Sequence, residues 1–254
     1  MNIILFKENE ISPTCAAALP KRDERVIHLL KTLHKQEGHG FCAGLLGGLT
    51  GKGKITRIGA DFVDFSLKFD TPPPPKLPLV MAVGFPRPIQ LRRLLRDLAA
   101  FGVPRICLLM TELGDQSYRE TKLLKDGGAE AALIEGIVQA RDTIPPAIES
   151  FDNLSSFIEN LPRNPQILYI ACDNVRPHGD FANLLCGNSG GVAQDGATDG
   201  AVVLVGSERG WSDTERAMLD SAGFERLSIG RRPLRTETAC AAACALTGAL
   251  VGKD

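Results

Sequence analysis

The chain lacks the cysteine spacing of a metal site. Its seven cysteines, at positions 15, 42, 107, 172, 186, 240 and 244, include no CxxC pair, whereas zinc needs several ligands clustered at short spacing. Their number is odd, and Cys240 and Cys244 are spaced one helical turn apart. Reduced, mostly buried thiols in a cytosolic protein are expected. No window approaches the run of about 20 apolar residues that a membrane span needs. Charges at Lys7, Glu8 and Glu10 come too early for the apolar core of a signal peptide. The expectation is a soluble, cytoplasmic protein with no membrane partner. The net charge of −1 supplies no electrostatic sign of nucleic acid for the chain as a whole.

Three common cofactor and catalytic motifs are also missing. No GxSxG elbow appears, so Ser-His-Asp hydrolysis has no anchor. A dinucleotide fingerprint would put GxGxxG after the first strand of a sheet, but the first such strand here ends "AVGFPRP". "GLTGKGKI", Gly48 to Ile55, nearly spells a phosphate-binding loop. Ile55 stands where a hydroxyl is required, and the residues that follow read as strand rather than helix. A hairpin loop is the reading for this stretch.

What is present fits a two-domain protein. The 254 residues are 44% apolar and 23% charged, enough for a sizeable core. Four consecutive prolines in "DTPPPPKLP", Asp70 to Pro78, cannot continue a helix or a central strand. They predict a boundary between domains 1–72 and 73–254. Residues 1–76 carry eleven Lys and Arg against eight Asp and Glu, and three of the four histidines. That part is the better candidate for touching phosphates. In it, Val26, Leu29, Leu30 and Leu33 have helical spacing across 26–34, and glycine-punctuated short runs follow. A small, mostly β, barrel-like domain is expected.

Beyond the prolines, short apolar runs at 77–83, 105–110, 166–172, 201–205 and 226–229 alternate with helical stretches around 88–100, 118–140, 147–160, 212–222 and 237–250. This order predicts an α/β domain with a parallel sheet. Ser212 and Glu215 form the two ends of a capping box, Thr236 or Thr238 is expected to cap the last helix, and "RRLLR" (92–96) reads as a solvated helix face with Leu94 and Leu95 inward. Residues 187–200, with five glycines, read as a surface loop.

Two late strands end in glycine turns, "GSERGWSDTE" (206–215) and "IGRRPLRTETA" (229–239). These turns, with "RVIHLLKTLH" (25–34) and "EGIVQAR" (135–141), resemble in order and spacing the RsmE-type methyltransferases of the SPOUT, or trefoil-knot, superfamily. The resemblance spans nearly the whole chain. It implies a PUA-like β barrel followed by a trefoil-knotted methyltransferase domain that uses S-adenosylmethionine to methylate ring nitrogen 3 of a uridine in small-subunit ribosomal RNA. It also implies a homodimer joined through the knot region and the Ala-rich last helix, with ribosomal RNA or the small ribosomal subunit as partner.

Carried over residue by residue, it sets Leu204, Val205, Gly206, Glu208, Gly210, Ile229, Gly230 and Leu234 around the cofactor. It sets Arg235 and Glu237 at the chemistry, although Glu237 equally suits the start of a helix, where a carboxylate is favoured. Arg22, Arg25, His28 and Lys31 are the candidate RNA contacts. Departures stand at Ser207, Arg209 and Asp97, where the family has proline, glycine and lysine. A non-catalytic, RNA-binding relative with a decayed cofactor loop is therefore the alternative, to be separated by titration with S-adenosylmethionine; an Arg209 side chain that points to solvent leaves the cofactor slot open, and one that points inward narrows it.

Overall fold

A computed structural model describes residues 2–162, 164–186 and 199–251. The chain divides into two units, Met1–Pro75 with Glu135–Pro145, and Lys76–Ile134 with Pro146–Asp254. The proline run thus closes the first stretch, and the return of residues 135–145 to that unit is a feature the composition did not announce. Most of the glycine-rich loop, residues 187–198, lies outside the described residues.

The first unit holds strands β1 (Ile4–Phe6), β2 (Ala16–Pro20), β3 (Gly40–Leu45), β4 (Thr50–Ile58) and β5 (Phe62–Thr71). They form a five-stranded sheet in the order β1-β3-β4-β5-β2, with β1 parallel to β3 and the other pairs antiparallel. Helix α1 (Glu24–Ile27) continues as a wider turn through Thr32, so the expected 26–34 helix begins earlier and ends at the Leu33 cap. Alternation sends Ala43, Ile55, Val63, Phe65 and Leu67 inward. Phe65 meets Phe6 and Phe41 edge to face, with ring centres 5.8 and 5.5 Å apart. "GLTGKGKI" is not a loop as a whole: the turn takes residues 46–49, and Thr50 onward belongs to β4. Lys52, Ile55 and their neighbours extend because Ile55 is needed in the core.

The second unit is an α/β layer structure. Its strands are β6 (Leu79–Gly84), β7 (Arg105–Leu109), β8 (Ala147–Phe151), β9 (Ile167–Cys172), β10 (Gly179–Asp180), β11 (Gly200–Val205) and β12 (Glu225–Ser228). All are parallel, in the order β10-β12-β9-β11-β6-β7-β8. The helices are α2 (Pro88–Ala100), α3 (Lys122–Lys125), α4 (Gly128–Ala140, which crosses the division at Glu135), α5 (Leu154–Glu159), α6 (Phe181–Leu185), α7 (Asp213–Ser221) and α8 (Thr236–Val251).

Every residue of β11 is buried, as expected of a central parallel strand covered on both faces. On one face Ala82, Leu109, Ala171, Val202 and Leu204 pack with Phe157 of α5 and Leu219 of α7. On the other, α8 packs against α2, β6 and β11. Arg92 and Arg93 of α2 are exposed while Leu91, Leu94, Leu95 and Leu98 are buried. Asp97, where the resemblance expects lysine, pairs with Arg96 Nε at 2.9 Å.

Three expectations need correction. Residues 147–151 are an edge strand rather than helix, paired to β7; its exposed, mixed sequence carries no apolar run. The 118–140 stretch breaks into a 3-10 turn (Gln116–Glu120), α3 and α4, interrupted at Gly127, whose φ is +74°. The thiols are mixed rather than mostly buried: Cys15, Cys42 and Cys186 are exposed, Cys172 is half-buried, and Cys107, Cys240 and Cys244 are buried. No described helix is long and apolar enough to cross a membrane.

Candidate cofactor cleft

β12, β9 and β11 are adjacent and parallel, so their carboxyl ends open on one edge of the sheet, where open α/β sheets bind ligands. The first glycine turn leaves β11 there. Ser207 and Gly210 face each other in an antiparallel bridge, with the Gly210 amide donating to the Ser207 carbonyl at 2.8 Å. Gly210 has φ +73°, a conformation that costs a side-chain-bearing residue energy. The end of β6 lies directly beneath: a Cβ on Gly84 would come within 2.5 Å of the Ser207 nitrogen. The Arg87 amide, at the start of α2, donates to Glu208 Oε1 at 3.1 Å and ties the turn to that helix.

Trp211 follows, buried, with Nε1 donating to the Cys172 carbonyl at 3.0 Å. The capping box is present. Glu215 N donates to Ser212 Oγ at 3.0 Å, and Ser212 N donates to Glu215 Oε2 at 2.9 Å. Glu215 Oε1 also accepts from the Glu112 amide at 2.9 Å. Burial raises the pKa of this carboxyl despite the amides that favour its charged form.

The second turn leaves β12. Gly230 N donates to Ser228 Oγ at 3.1 Å, and that hydroxyl donates to the Gly230 carbonyl at 3.0 Å. β9 supplies a third side, Cys172 to Asn174. Asp173 accepts from Arg216 Nε at 2.7 Å and from the Val175 amide at 2.9 Å. Burial alone would raise the Asp173 pKa; the Arg216 guanidinium and the amides outweigh it and hold the carboxyl below its ordinary range. Burial, with Cys244 and Asp173 nearby, pushes the Cys172 thiol up to about 12, so it is no nucleophile at neutral pH.

Together these segments enclose a cleft of about 130 Å³. Val205, Gly206, Glu208, Gly210, Ile229, Gly230 and Leu234 line it. Leu204 does not. It is fully buried among the α5 and α7 side chains, because neighbours along a strand point to opposite faces. Arg209 is exposed and absent from the lining, and Ser207 is buried and closes the turn. The cleft therefore stays open in spite of both departures. Ser207 is itself part of the lining, and sequence reasoning also missed Cys172, Asp173, Asn174, Arg232, Pro233, Thr236 and Ala239. "ACDN" at the end of β9 carried the same signal as the two turns, an apolar strand breaking into polar residues.

Arg235, not Thr236 or Thr238, takes the cap position of α8: the helix begins at Thr236, and the Arg235 carbonyl accepts from the Ala239 amide at 2.8 Å. The Arg235 side chain is exposed beside cleft residues Leu234 and Thr236. Glu237 is buried in the first turn of α8, outside the lining, with Oε2 unpartnered among the described residues. Of the candidate RNA contacts, Arg22 and Lys31 are exposed and His28 is half-buried. Arg25 is committed. Its five N–H donors go to Asp23 Oδ1 and Oδ2, Glu10 Oε1 and Oε2, and the Leu5 carbonyl, all within 2.9 Å, and a guanidinium has no more to offer a phosphate.

The model of an RNA methyltransferase domain matches residues 73–248. "Ribosomal RNA small subunit methyltransferase E" of Treponema pallidum is 36% identical over 97% of this chain and 90% of that protein. "Ribosomal RNA small subunit methyltransferase E 1" of Borreliella burgdorferi is 30% identical over 97% of each. The crystal structure of a ribosomal RNA small subunit methyltransferase E from Neisseria gonorrhoeae, bound to S-adenosyl methionine, superposes with a TM-score of 0.69 over 98% of both chains at 17% identity, a likeness of fold. The three-sided cleft, the order of the motifs and these full-length matches lead to one conclusion: the chain belongs to the RsmE-type family of small-subunit ribosomal RNA methyltransferases.

Proposed function

We propose that the protein transfers the methyl of S-adenosylmethionine to ring nitrogen 3 of a uridine in small-subunit ribosomal RNA. The observation that carries this is the cleft at the carboxyl ends of β9, β11 and β12, lined by the main chain of two glycine turns. A Cβ on Gly230 would meet nothing within 4 Å, so the absent side chain leaves room rather than relieving a clash. Backbone amides and carbonyls at close approach suit a purine, and Val205, Ile229 and Leu234 offer apolar walls. Leu234, 45% exposed, has apolar surface to give up to a ligand. These features fit a nucleoside-bearing cofactor.

When bound, S-adenosylmethionine supplies a methyl already activated by its sulfonium. The protein's work is then alignment. The imide nitrogen attacks well only as it loses its proton, and the Arg235 guanidinium at the cleft rim is the group to stabilise the negative charge that develops. Glu237, buried in the first turn of α8, positions the Arg235 segment and complements the helix dipole. A trefoil knot through the cleft segments, a PUA-like barrel in the first unit, and a homodimer joined through the small residues of α8 belong to the same proposal.

Calorimetric titration with S-adenosylmethionine, together with mass spectrometry of ribosomal nucleosides from cells with and without the gene, tests it. Cofactor binding and loss of one methylated uridine are expected. An unchanged nucleoside profile would overturn the substrate assignment, and no binding at millimolar cofactor would favour the non-catalytic alternative.

A further inference from the structure

A hollow larger than the cofactor cleft lies among the described residues of the first unit and measures about 880 Å³. Its floor is the outer face of the five-stranded sheet. Cys42 stands opposite Lys52, and Lys52 opposite Lys68; Gly40 stands opposite Lys54, and Lys54 opposite Ser66. Lys52, Lys54 and Lys68 are all exposed. Lys35 and Arg141 also line the hollow, and no carboxylate does.

Two features of this face work against stability. Lysines directly opposite on neighbouring strands repel one another, and the Lys52–Lys68 pair is such a case. Gly40 is a weak strand former, yet nothing steric requires it: its φ is not positive, and a Cβ there would meet only the Gly53 carbonyl, at 3.7 Å. Asp70 pairs with Lys68 at 2.7 Å with both side chains exposed, a contact easily exchanged for another anion. Among the described residues Lys35, Lys52, Lys54 and Arg141 form no ion pair. A face that gathers cations without carboxylates, around a floor without bulk, is complementary to a polyanion's backbone.

We propose that this face, with Lys52, Lys54 and Lys68 around the Gly40 and Cys42 floor and with Lys35 and Arg141, holds the phosphate backbone of the RNA substrate. The proposal rests on the reading of the chain as acting on ribosomal RNA. It moves the main RNA contact away from Arg25, whose donors are spent, and gives a role to Arg141, which the motif "EGIVQAR" singled out and the cofactor cleft does not use.

The test is binding of transcribed small-subunit ribosomal RNA to the full chain across about 50 to 200 mM salt. Each lost phosphate contact lowers the logarithmic salt slope by about 0.7 on single strands and 0.9 on duplex. The triple variant Lys52→Ala, Lys54→Ala, Lys68→Ala is expected to lose about two such steps, with an unfolding midpoint no lower than the parent's because repulsion has been removed. Gly40→Val leaves every charge in place and fills the floor, so it is expected to weaken binding with the fold intact. An unchanged affinity and slope in the triple variant would overturn the proposal, as would a Gly40→Val protein that binds RNA like the parent. S-adenosylmethionine titration of the same proteins keeps the two readings apart. Cofactor binding with an unchanged RNA slope sinks this surface alone, whereas a parent protein that binds RNA through these lysines but not the cofactor sinks the methyltransferase chemistry alone.

Discussion

Arg216 donates its Nε to Asp173 Oδ2 at 2.7 Å, joining α7 to the loop that leaves β9. Both residues are buried, and Arg226 of β12 approaches the same oxygen at 3.4 Å. One carboxylate thus ties α7 and β12, the elements that flank the two glycine turns, to the loop after β9, and it is also part of the cleft wall. Breaking a buried pair by removing one partner leaves the other charge uncompensated.

Asp173→Ala is accordingly expected to destabilise the protein by about 3 kcal/mol at neutral pH and to weaken cofactor binding. The folded-state pKa of Asp173 lies below its unfolded value, so the stability it contributes is present above about 3.9 and is lost as pH falls through the depressed value. Denaturant unfolding of parent and variant should therefore differ at neutral pH and converge in acid. A constant difference across that range would show that the charge is not the cause.

Arg25 holds Glu10 and Asp23 below the usual carboxylate range chiefly through its side-chain hydrogen bonds. Lysine has only three donors and no fork. Arg25→Lys is expected to cost the first unit about 2 kcal/mol while leaving cofactor affinity within two-fold of the parent. Thermal unfolding followed by circular dichroism, with calorimetric titration alongside, checks both halves. An undiminished stability would mean that Arg25 is free to serve as an RNA contact after all.

Gly230 and Gly84 make a contrasting pair. At Gly230 a side chain meets open space, so Gly230→Val should fold normally and bind S-adenosylmethionine at least about ten-fold more weakly, roughly 1.4 kcal/mol. At Gly84 a Cβ meets the Ser207 nitrogen at 2.5 Å, so Gly84→Ala should lose about 1–3 kcal/mol of stability through overpacking. Normal cofactor affinity in the Gly230 variant would place the ligand elsewhere.

Arg235→Ala should reduce methyl transfer about 100-fold, the effect typical of removing one charge-stabilising donor. Its side chain does not line the cleft, so cofactor affinity should stay within two-fold of the parent. Single-turnover transfer of a labelled methyl group to RNA, with the dissociation constant measured separately, resolves the two. A normal rate removes Arg235 from the chemistry.

The strands that carry the cleft were legible because they are central. β6, β9 and β11 are covered on both faces, so their apolar runs are continuous and end abruptly at polar turns. β8 at the sheet edge has no such run, and "AIESF" by itself reads as the start of a helix. The two glycine turns were visible for the same local reason, since their polar residues follow directly on buried strands.

Local pattern could not say which side chains meet. The amino-acid sequence determined by itself that a parallel α/β layer follows the proline run, that two late strands end in glycine turns, and that α7 begins in a capping box; that β9 lies between those two strands was not in it. The first three depend on residues within a few positions of one another. Only the tertiary structure decided that Asp173 completes the cleft, that Leu204 turns into the core, that Glu10 and Asp23 consume Arg25, and that lysines of β4 and β5 converge over Gly40. Those outcomes depend on strand register and on contacts between residues remote along the chain, and chain spacing carries neither.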